Sequence, residues 1–364
     1  MAKLGHLQQI KLTGFRSIRE LTLDLAPLNV LIGANGAGKS NFISFFKFMN
    51  KLLEKELQLH VRTKLNGANR TLYFGRKTTS HLKIELHFRP NSYCATLVPT
   101  NEDSLVFASE EAQFHGDQYN YLGGTKVRSL STPGALESGL PKPGRASPSQ
   151  YVATYLQDWK VYHFHDTSDT AKVKSAYSIH ENRRLLPQGE NLAAFLYDIR
   201  ETDNYQRIVQ TIQRVAPFFS DFVFQPEAND LIRLRWKHKG SEDYFDANML
   251  SDGTLRFICM TTLLLQPNLP TMILLDEPEL GLHPFAMQLL AAMMRSVSQH
   301  TQIIASTQSV TLANQFGWQD IVVVDQVDNA SHFRRLEEAE IVHWLNEYKL
   351  GEVWEMNALG GTPE

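Results

Sequence analysis

The chain has 364 residues, of which 43% are hydrophobic and 21% charged, and this globular composition excludes wholesale disorder. Lys and Arg number 36 against 39 Asp and Glu, so any contact with nucleic acid must come from a local basic patch. Two distant cysteines, Cys94 and Cys259, argue against a disulfide framework and a cysteine-based zinc site. No signal-peptide core and no apolar run of about 18 residues is visible, so we expect a cytoplasmic location and no membrane partner.

The first 121 residues predict a lobe of strands with one amphipathic helix. Alternating apolar residues predict strands at 7–13 and 21–25, and the apolar LNVLI at 28–32 predicts a buried strand. Phe and Leu residues recur at helical spacing shortly after it. Four further strands, expected to be antiparallel, are predicted between 71 and 108.

The middle and the end of the chain differ in character. Residues 122–150 hold five Gly, four Pro and five Ser, which predicts a flexible insert. A helical lobe is expected at 151–224, with a strand at 161–165. Strands and helices alternate over 225–345, which favours a largely parallel sheet with helices on its faces, and a tail follows at 346–364.

The segment GANGAGKS fits the pattern GxxxxGK[ST] between a predicted strand and a predicted helix. Its glycines let successive backbone N–H groups turn inward, where they and the helix N-terminus bind phosphate. Lys39 is predicted to reach the β- and γ-phosphates of ATP, and Ser40 to ligate Mg²⁺. The predicted nucleotide-binding residues of this loop are Gly33, Asn35, Gly36, Ala37, Gly38, Lys39 and Ser40.

A second segment, MILLDE at 272–277, is an apolar strand that ends in two acids. Asp276 can hold Mg²⁺ through its water shell, and Glu277 is placed to orient or deprotonate an attacking water. An acidic helix cap or turn is the alternative for the pair alone. Together with the phosphate loop, the pair predicts ATP hydrolysis with Lys39 and Glu277 as catalytic residues.

Two weaker segments accompany these. LSDGT at 250–254 is also an ordinary helix start, and IASTQS at 304–309 is also an ordinary strand end. Their order in the chain relative to the acidic strand favours a functional interpretation of both segments.

In this order the four segments resemble the ATP-binding-cassette (ABC) ATPases, and within them the RecF-like and overcoming-lysogenisation-defect (OLD) branch. The resemblance is carried by IKLTGFRSIRELTLDLAPLNVLIGANGAGKSN, LSDGT and LLDEPELGLHP, over 7–50 and 225–325, with a weaker match at 161–200. It implies one α/β head over 1–364, a RecA-like P-loop NTPase with an antiparallel β portion and a helical lobe. It also implies that two heads sandwich two ATP molecules, which gives a homodimer or a higher homo-oligomer.

The resemblance assigns roles to further residues. Ser251 and Gly253 would act on the nucleotide of the partner head, with the helix N-terminus at 251 aimed at the γ-phosphate. Asn41 would contact the α-phosphate. Arg16 matches a basic position near the nucleotide, and a surface arginine after a strand is the alternative.

Three departures from the family pattern are visible. Asp252 stands where a second glycine is usual. Gln308 stands at the switch position in place of histidine, and because an amide cannot carry a proton we expect slow turnover. The glutamine loop has no clear position, and Gln113 and Gln150 are its candidates.

Other polar residues permit more than one interpretation. His163 and His165 alternate on a predicted strand and could bind a metal, although an exposed strand face is the more ordinary reading. His283 could cross a dimer interface or start a helix. Basic residues at 51–77 and on the strand at 233–239 could contact DNA or an acidic partner, or form solvated surface.

The resemblance yields three hypotheses of function. The first is an ATP-driven switch that controls a separately encoded effector, with a nuclease expected, in bacterial anti-phage defence. OLD nucleases carry a TOPRIM domain after the ATPase, whereas the 39 residues after Asp325 hold no DxD pair, so no nuclease domain is expected here. The second is a RecF-like ATPase that binds DNA in repair. The third, the ATPase subunit of an ABC transporter, is disfavoured by the GFRSIRE opening and by Gln308.

Overall fold

The computed structural model describes residues 6–116 and 124–361. The strands of these residues are β1 (Leu7–Phe15), β2 (Ile18–Asp24), β3 (Leu28–Ile32), β4 (Leu82–Phe88), β5 (Asn91–Pro99), β6 (Leu105–His115), β7 (Thr125–Ser129), β8 (Trp159–Tyr162), β9 (Tyr177–Ser178), β10 (Phe219–Val223), β11 (Leu231–Ile232), β12 (Arg235–His238), β13 (Tyr244–Asp246), β14 (Met272–Asp276), β15 (Gln302–Thr307), β16 (Ile321–Val327) and β17 (Ala330–Arg335). The helices are α1 (Lys39–Leu53), α2 (Leu57–Thr63), α3 (Ala68–Thr71), α4 (Pro148–Gln157), α5 (Leu192–Ile199), α6 (Asp203–Val215), α7 (Asp252–Leu265), α8 (Pro284–Ser298), α9 (Val310–Ala313), α10 (Glu338–Leu345) and α11 (Leu350–Glu355).

The central sheet has the strand order β17-β16-β3-β15-β14-β8. The pairs from β16 through β8 are parallel, and only β17 runs antiparallel to its neighbour in this sheet. Every residue of β3 and β15 is buried, as expected for parallel strands covered on both faces. The sheet confirms the predicted α/β class.

Two apolar cores lie on the two faces of this sheet. On β14, Ile273 and Leu275 join the core that contains α7 and α8, whereas Met272 and Leu274 join the core that contains α1 and α4. This division follows from the two-residue period of a strand. The helix after the phosphate loop and the helix of LSDGT are therefore on opposite faces.

A second sheet, with the order β2-β1-β4-β5-β6-β7, is antiparallel throughout and covers the α1 side. It matches the predicted antiparallel portion in β4, β5 and β6. Residues 71–75 are an exception, because they form the end of α3 and a turn, with only an isolated bridge between Phe15 and Leu72.

The segment 122–150, predicted to be a flexible insert, has regular structure at both ends of its described part, which starts at 124. Residues 125–129 form β7 on the edge of the antiparallel sheet, and α4 begins at Pro148. Between them, the Glu137 carboxylate accepts the N–H groups of Leu57 (2.9 Å) and Gln58 (3.0 Å) at the start of α2. The Gly and Pro residues of this segment form turns in a connection that is hydrogen-bonded to the N-terminal lobe. Residues 122 and 123 lie outside the described range.

The helical portion is smaller than predicted, and strands interrupt it. β8 belongs to the central sheet, beside β14, and ends at Tyr162, before His163. α6 packs beside α7 and beside a small sheet, β10-β12-β13, whose buried aromatic residues include Phe219 and Trp236, and α5 packs beside α6. Among the described residues, no helix is both long and apolar enough to cross a bilayer.

Candidate active site

The phosphate loop joins the end of β3 to the start of α1. At Gly38 φ is 113°, and a Cβ at this position would collide with the Ser331 hydroxyl of β17. Gly36 also has a positive φ, of 85°. Only glycine adopts such backbone geometry without strain, which explains these two glycines of the motif.

Lys39 is the first residue of α1, and only 5% of it is exposed. Its Nζ donates to the main-chain oxygens of Gly33 (2.6 Å) and Ala34 (2.9 Å). Burial lowers the pKa of Lys39, and the carboxylates at 276–279 oppose that shift. The ammonium group is thus held at the loop and faces the acidic end of β14.

The predicted metal-binding oxygens come together at the carboxyl ends of the parallel strands. The Ser40 hydroxyl lies 3.4 Å from Asp276 Oδ1, and the Ser306 hydroxyl donates to the same carboxylate oxygen. Asp276 and Ser306 are paired in register at the ends of β14 and β15. Hydroxyl and carboxylate oxygens are suitable ligands for Mg²⁺, so the residues present fit this ion.

Glu277 and Gln308 also meet. Glu277 follows β14 with φ of 45°, and its N–H donates to the main-chain oxygen of Ser306 (3.0 Å). The Gln308 amide Nε2 donates to Glu277 Oε1. A positive φ is uncommon outside glycine and is maintained by surrounding contacts, a feature that is frequent at active sites. The geometry aims the carboxylate at the switch residue.

Glu279 is a third carboxylate that sequence reasoning missed. It is 7% exposed, and its Oε1 accepts from Thr307 Oγ1 (2.5 Å) and from the Gln308 N–H (3.2 Å). Its buried Oε2 has no hydrogen-bond partner in the described part of the chain. Burial raises the pKa of this carboxyl, and Glu277 adds to the shift. The last acid of the DEPE segment at 276–279 was the available signal.

Arg16 and Asn41 lie beside the loop. Arg16 Nη1 donates to Asn41 Oδ1 (3.2 Å), and Asn41 Nδ2 donates to the Ser17 hydroxyl (2.7 Å). Burial lowers the pKa of Arg16, whose backbone has a positive φ of 51°. Arg16 is therefore a half-buried residue held against α1, and the surface-arginine alternative does not describe it.

Ser251 caps α7, and its hydroxyl accepts the Thr254 N–H (3.3 Å). Gly253 lies against the loop after the acidic strand, where a Cβ would collide with the main-chain oxygen of Gly281. Gly253 thus has a packing role within its own chain. The action of Ser251 and Gly253 on a second chain's nucleotide stays a prediction.

His165 and Arg256 connect α7 to the acidic strand, and sequence reasoning missed this connection. His165 Nε2 lies 2.6 Å from the main-chain oxygen of Asp276. Arg256 donates to the main-chain oxygens of His165 (2.7 Å) and Leu280 (3.1 Å). Because these contacts use backbone oxygens, no residue pattern in the sequence signals them.

The remaining candidates fall outside this cluster. The described residues contain no group of three or more His, Cys, Asp and Glu that could hold a metal, which leaves the metal reading of His163 and His165 without support. His283 caps α8 and accepts the Phe285 N–H (3.4 Å), as the helix-start reading predicts. On the basic strand at 233–239, Arg235 is paired with acids of its own chain.

Neither glutamine-loop candidate bonds to the site. Gln113 donates to Glu111 (3.2 Å) on β6, and Gln150 accepts the Ala146 N–H (3.0 Å) at the start of α4. Both bonds are local, and neither joins these two residues to the phosphate loop or to the acidic strand.

Two curated relatives are similar to this chain. The OLD nuclease of Thermus scotoductus is 22% identical over 370 residues, which cover 95% of this chain and 67% of the nuclease. The DNA replication and repair protein RecF of Acidothermus cellulolyticus is 32% identical over 82 residues, or 22% of each protein. The chain thus matches about a fifth of RecF and about two thirds of the nuclease.

Solved structures show the same fold at low identity. A crystal structure of an Smc head bound to the C-winged helix domain of ScpA has a TM-score of 0.54 at 14% identity, covering 92% of this chain and 99% of that one. An Smc head domain with an extended coiled coil, bound to the C-terminal domain of ScpA derived from Pyrococcus furiosus, has a TM-score of 0.52 at 14% identity, covering 94% and 99%. The fold is thus that of an ABC ATPase head.

A family model described as "AAA domain, putative AbiEii toxin, Type IV TA system" matches residues 28–314. The match includes the phosphate loop, LSDGT, the acidic strand and the switch strand, and it covers more than three quarters of the chain. The chain therefore belongs to this AAA-domain family and is an ABC-type ATPase of the RecF-like and OLD branch.

Proposed function

We propose that the chain binds ATP with Mg²⁺, hydrolyses it, and forms a homodimer or a higher homo-oligomer in which each nucleotide lies between two heads. The observation that carries this proposal is the meeting of three segments, the phosphate loop, the acidic strand and the switch strand, at one sheet edge. Lys39 and Ser40 face Asp276, while Gln308 donates to Glu277.

The chemistry is phosphoryl transfer to water. Backbone N–H groups of the loop and Lys39 hold the phosphates, and Mg²⁺, when bound, neutralises charge on the β- and γ-phosphates. Glu277 orients or deprotonates the water, while Gln308 fixes the carboxylate. Since the amide of Gln308 takes no proton, turnover is slow, as suits a switch with a long-lived ATP state.

The proposal includes a separately encoded effector, with a nuclease expected, in bacterial anti-phage defence. Two similarities support it. One is to the OLD nuclease, part of which lies outside the alignment with this chain. The other is to the family whose description names a putative AbiEii toxin. In this role, ATP-driven association and separation of the heads would control the effector.

The test is native mass spectrometry of tagged Glu277→Gln, expressed with its neighbouring genes and purified in Mg-ATP. We expect a dimer or a higher assembly with bound ATP, because positioning survives while water activation is lost. Lys39→Ala is the matched control and should bind no ATP and stay monomeric. Monomeric Glu277→Gln with ATP bound would contradict the dimer, and a dimer without a second protein would contradict the effector.

The second candidate is a RecF-like DNA-binding ATPase of repair. The 82-residue match with RecF, at 32% identity, favours it. Nanomolar binding of duplex DNA by the chain alone, without any second protein, would support this candidate over effector control.

A further inference from the structure

A cavity of about 800 Å³ lies between α1, α2 and the end of β8, beside the nucleotide site. Its cationic residues come from separate segments of the chain: Lys47 on α1, Lys64 at the end of α2 and Lys160 on β8. Arg16, which bonds Asn41 beside the phosphate loop, also lines it. Basic side chains distant in sequence thus face one space.

Two of these lysines have no carboxylate at ion-pair distance, although Asp276 acts on Lys47, and Glu54 and Asp158 on Lys160, at longer range. Lys47 and Lys160 are half-buried, and neither side chain forms a hydrogen bond or ion pair within the ranges that the structure describes. Burial lowers the pKa of both amines. Lys51, in contrast, is neutralised by Glu54 (2.5 Å) and Glu56 (2.8 Å). Burying an unpaired ammonium group is costly, so such groups indicate a site for an anion.

Two histidines of the cavity point to the same conclusion. The Nε2 atoms of His60 and His163 are buried and have no hydrogen-bond partner among the described residues. Burial lowers the pKa of each ring to about 4, and neighbouring cations add to the shift. Arg16, Lys47 and Lys64 are among the cations that act on His60, and Arg16 also acts on Lys47, so positive charge is concentrated at this cavity.

We propose that this cavity binds a small polyphosphate anion, distinct from the ATP that is hydrolysed. Its volume is that of a compact ligand. None of its lining residues is Phe, Tyr or Trp, so it offers no benzene or indole ring on which the bases of a single strand would stack. The proposal goes beyond ATP hydrolysis and does not depend on it.

The test is isothermal titration of the chain with inorganic tripolyphosphate, after saturation with Mg-AMP-PNP and with Mg²⁺ in excess. We expect one additional site per chain. The double variant Lys47→Gln/Lys160→Gln should weaken this binding at least about ten-fold and keep its affinity for AMP-PNP, which also shows that it is folded. The control is Lys349→Gln, an exposed lysine outside the cavity, and it should bind like the wild type.

Three results would overturn the proposal. They are no tripolyphosphate binding by the wild type, equal binding by the double variant, and lysine-dependent binding of a single-stranded oligonucleotide without binding of tripolyphosphate. Failure to bind AMP-PNP would instead count against the proposed ATPase. A lysine-dependent tripolyphosphate site would still stand in that case.

Discussion

Gln308 occupies the switch position with an amide that holds the carboxylate of Glu277. An amide can donate this hydrogen bond but cannot act as a general acid or base at neutral pH. The contact positions Glu277, to which the proposed mechanism assigns the proton transfer. Substitutions of Gln308 can therefore separate the rate of proton transfer from the positioning of Glu277.

For this reason we expect Gln308→His to raise kcat, by no more than the about 10²–10⁴-fold that a positioned acid–base group contributes. Steady-state phosphate release at saturating Mg-ATP measures it. Gln308→Ala, which loses the contact with Glu277, is the comparison and should be slower than the wild type. A Gln308→His enzyme no faster than the wild type would show that proton transfer does not limit turnover.

Glu279 fixes the end of the switch strand through Thr307 and the N–H of Gln308. Glu279→Ala leaves both donors unpaired and is expected to lower the free energy of unfolding by about 2–4 kcal/mol. Glu279→Gln keeps an acceptor oxygen and should lose less than about 1 kcal/mol. Urea unfolding of the three proteins measures both values. Equal losses in the two variants would show that the oxygen contacts are unimportant.

The pH dependence of the same comparison follows from the raised pKa of Glu279. A carboxyl with a higher pKa in the folded state binds more protons there, so its contribution to stability falls as pH rises from its ordinary value of 4.5 through the folded pKa. The wild type should thus lose stability relative to Glu279→Gln over that window. A constant difference from pH 4 to pH 7 would contradict the raised pKa.

At the scale of elements, the candidate site is formed by the paired ends of neighbouring parallel strands. β14 and β15 place Asp276 beside Ser306, and β3 delivers the phosphate loop from the other side of β15. The carboxyl ends of parallel strands share one edge, so segments far apart in sequence converge there. The N-terminal lobe is connected in the same long-range way, through Glu137 and α2.

Glu137 caps α2 from about 80 residues away, so its removal tests whether the connection at 130–147 is part of the folded lobe. We expect Glu137→Ala to lower the free energy of unfolding by about 1–2 kcal/mol, because two N–H groups at the helix start lose their acceptor. Glu102→Ala, in an exposed turn, is the control and should change little. Denaturant unfolding compares the two, and an equal effect would show that this segment does not support α2.

At the scale of the whole molecule, the proposed function requires two heads. If Ser251 of one chain completes the nucleotide site of the other, Ser251→Arg should inactivate both sites of its homodimer, and Lys39→Ala, which binds no ATP, should be inactive by itself. In a mixed dimer the ATP held by the Ser251→Arg chain faces the intact Ser251 of the Lys39→Ala chain, so mixing should restore activity that neither variant has alone. ATPase assays of the mixture and of each variant alone measure this. No recovery, with Ser251→Arg inactive by itself, would contradict the action of Ser251 on the nucleotide of the other chain.

The sequence by itself determined the chemistry: a phosphate loop with Lys39 and Ser40, an apolar strand ending in Asp276 and Glu277, and the α/β class. Each of these features depends on a short run of residues whose pattern determines local structure, such as glycines at a turn or apolar residues in a buried strand. Only the tertiary structure decided which groups support them. Glu279, His165 and Arg256 act through backbone atoms of distant segments, and the lysines of the cavity converge from three elements. Such contacts depend on which strands are neighbours, and no local pattern encodes that.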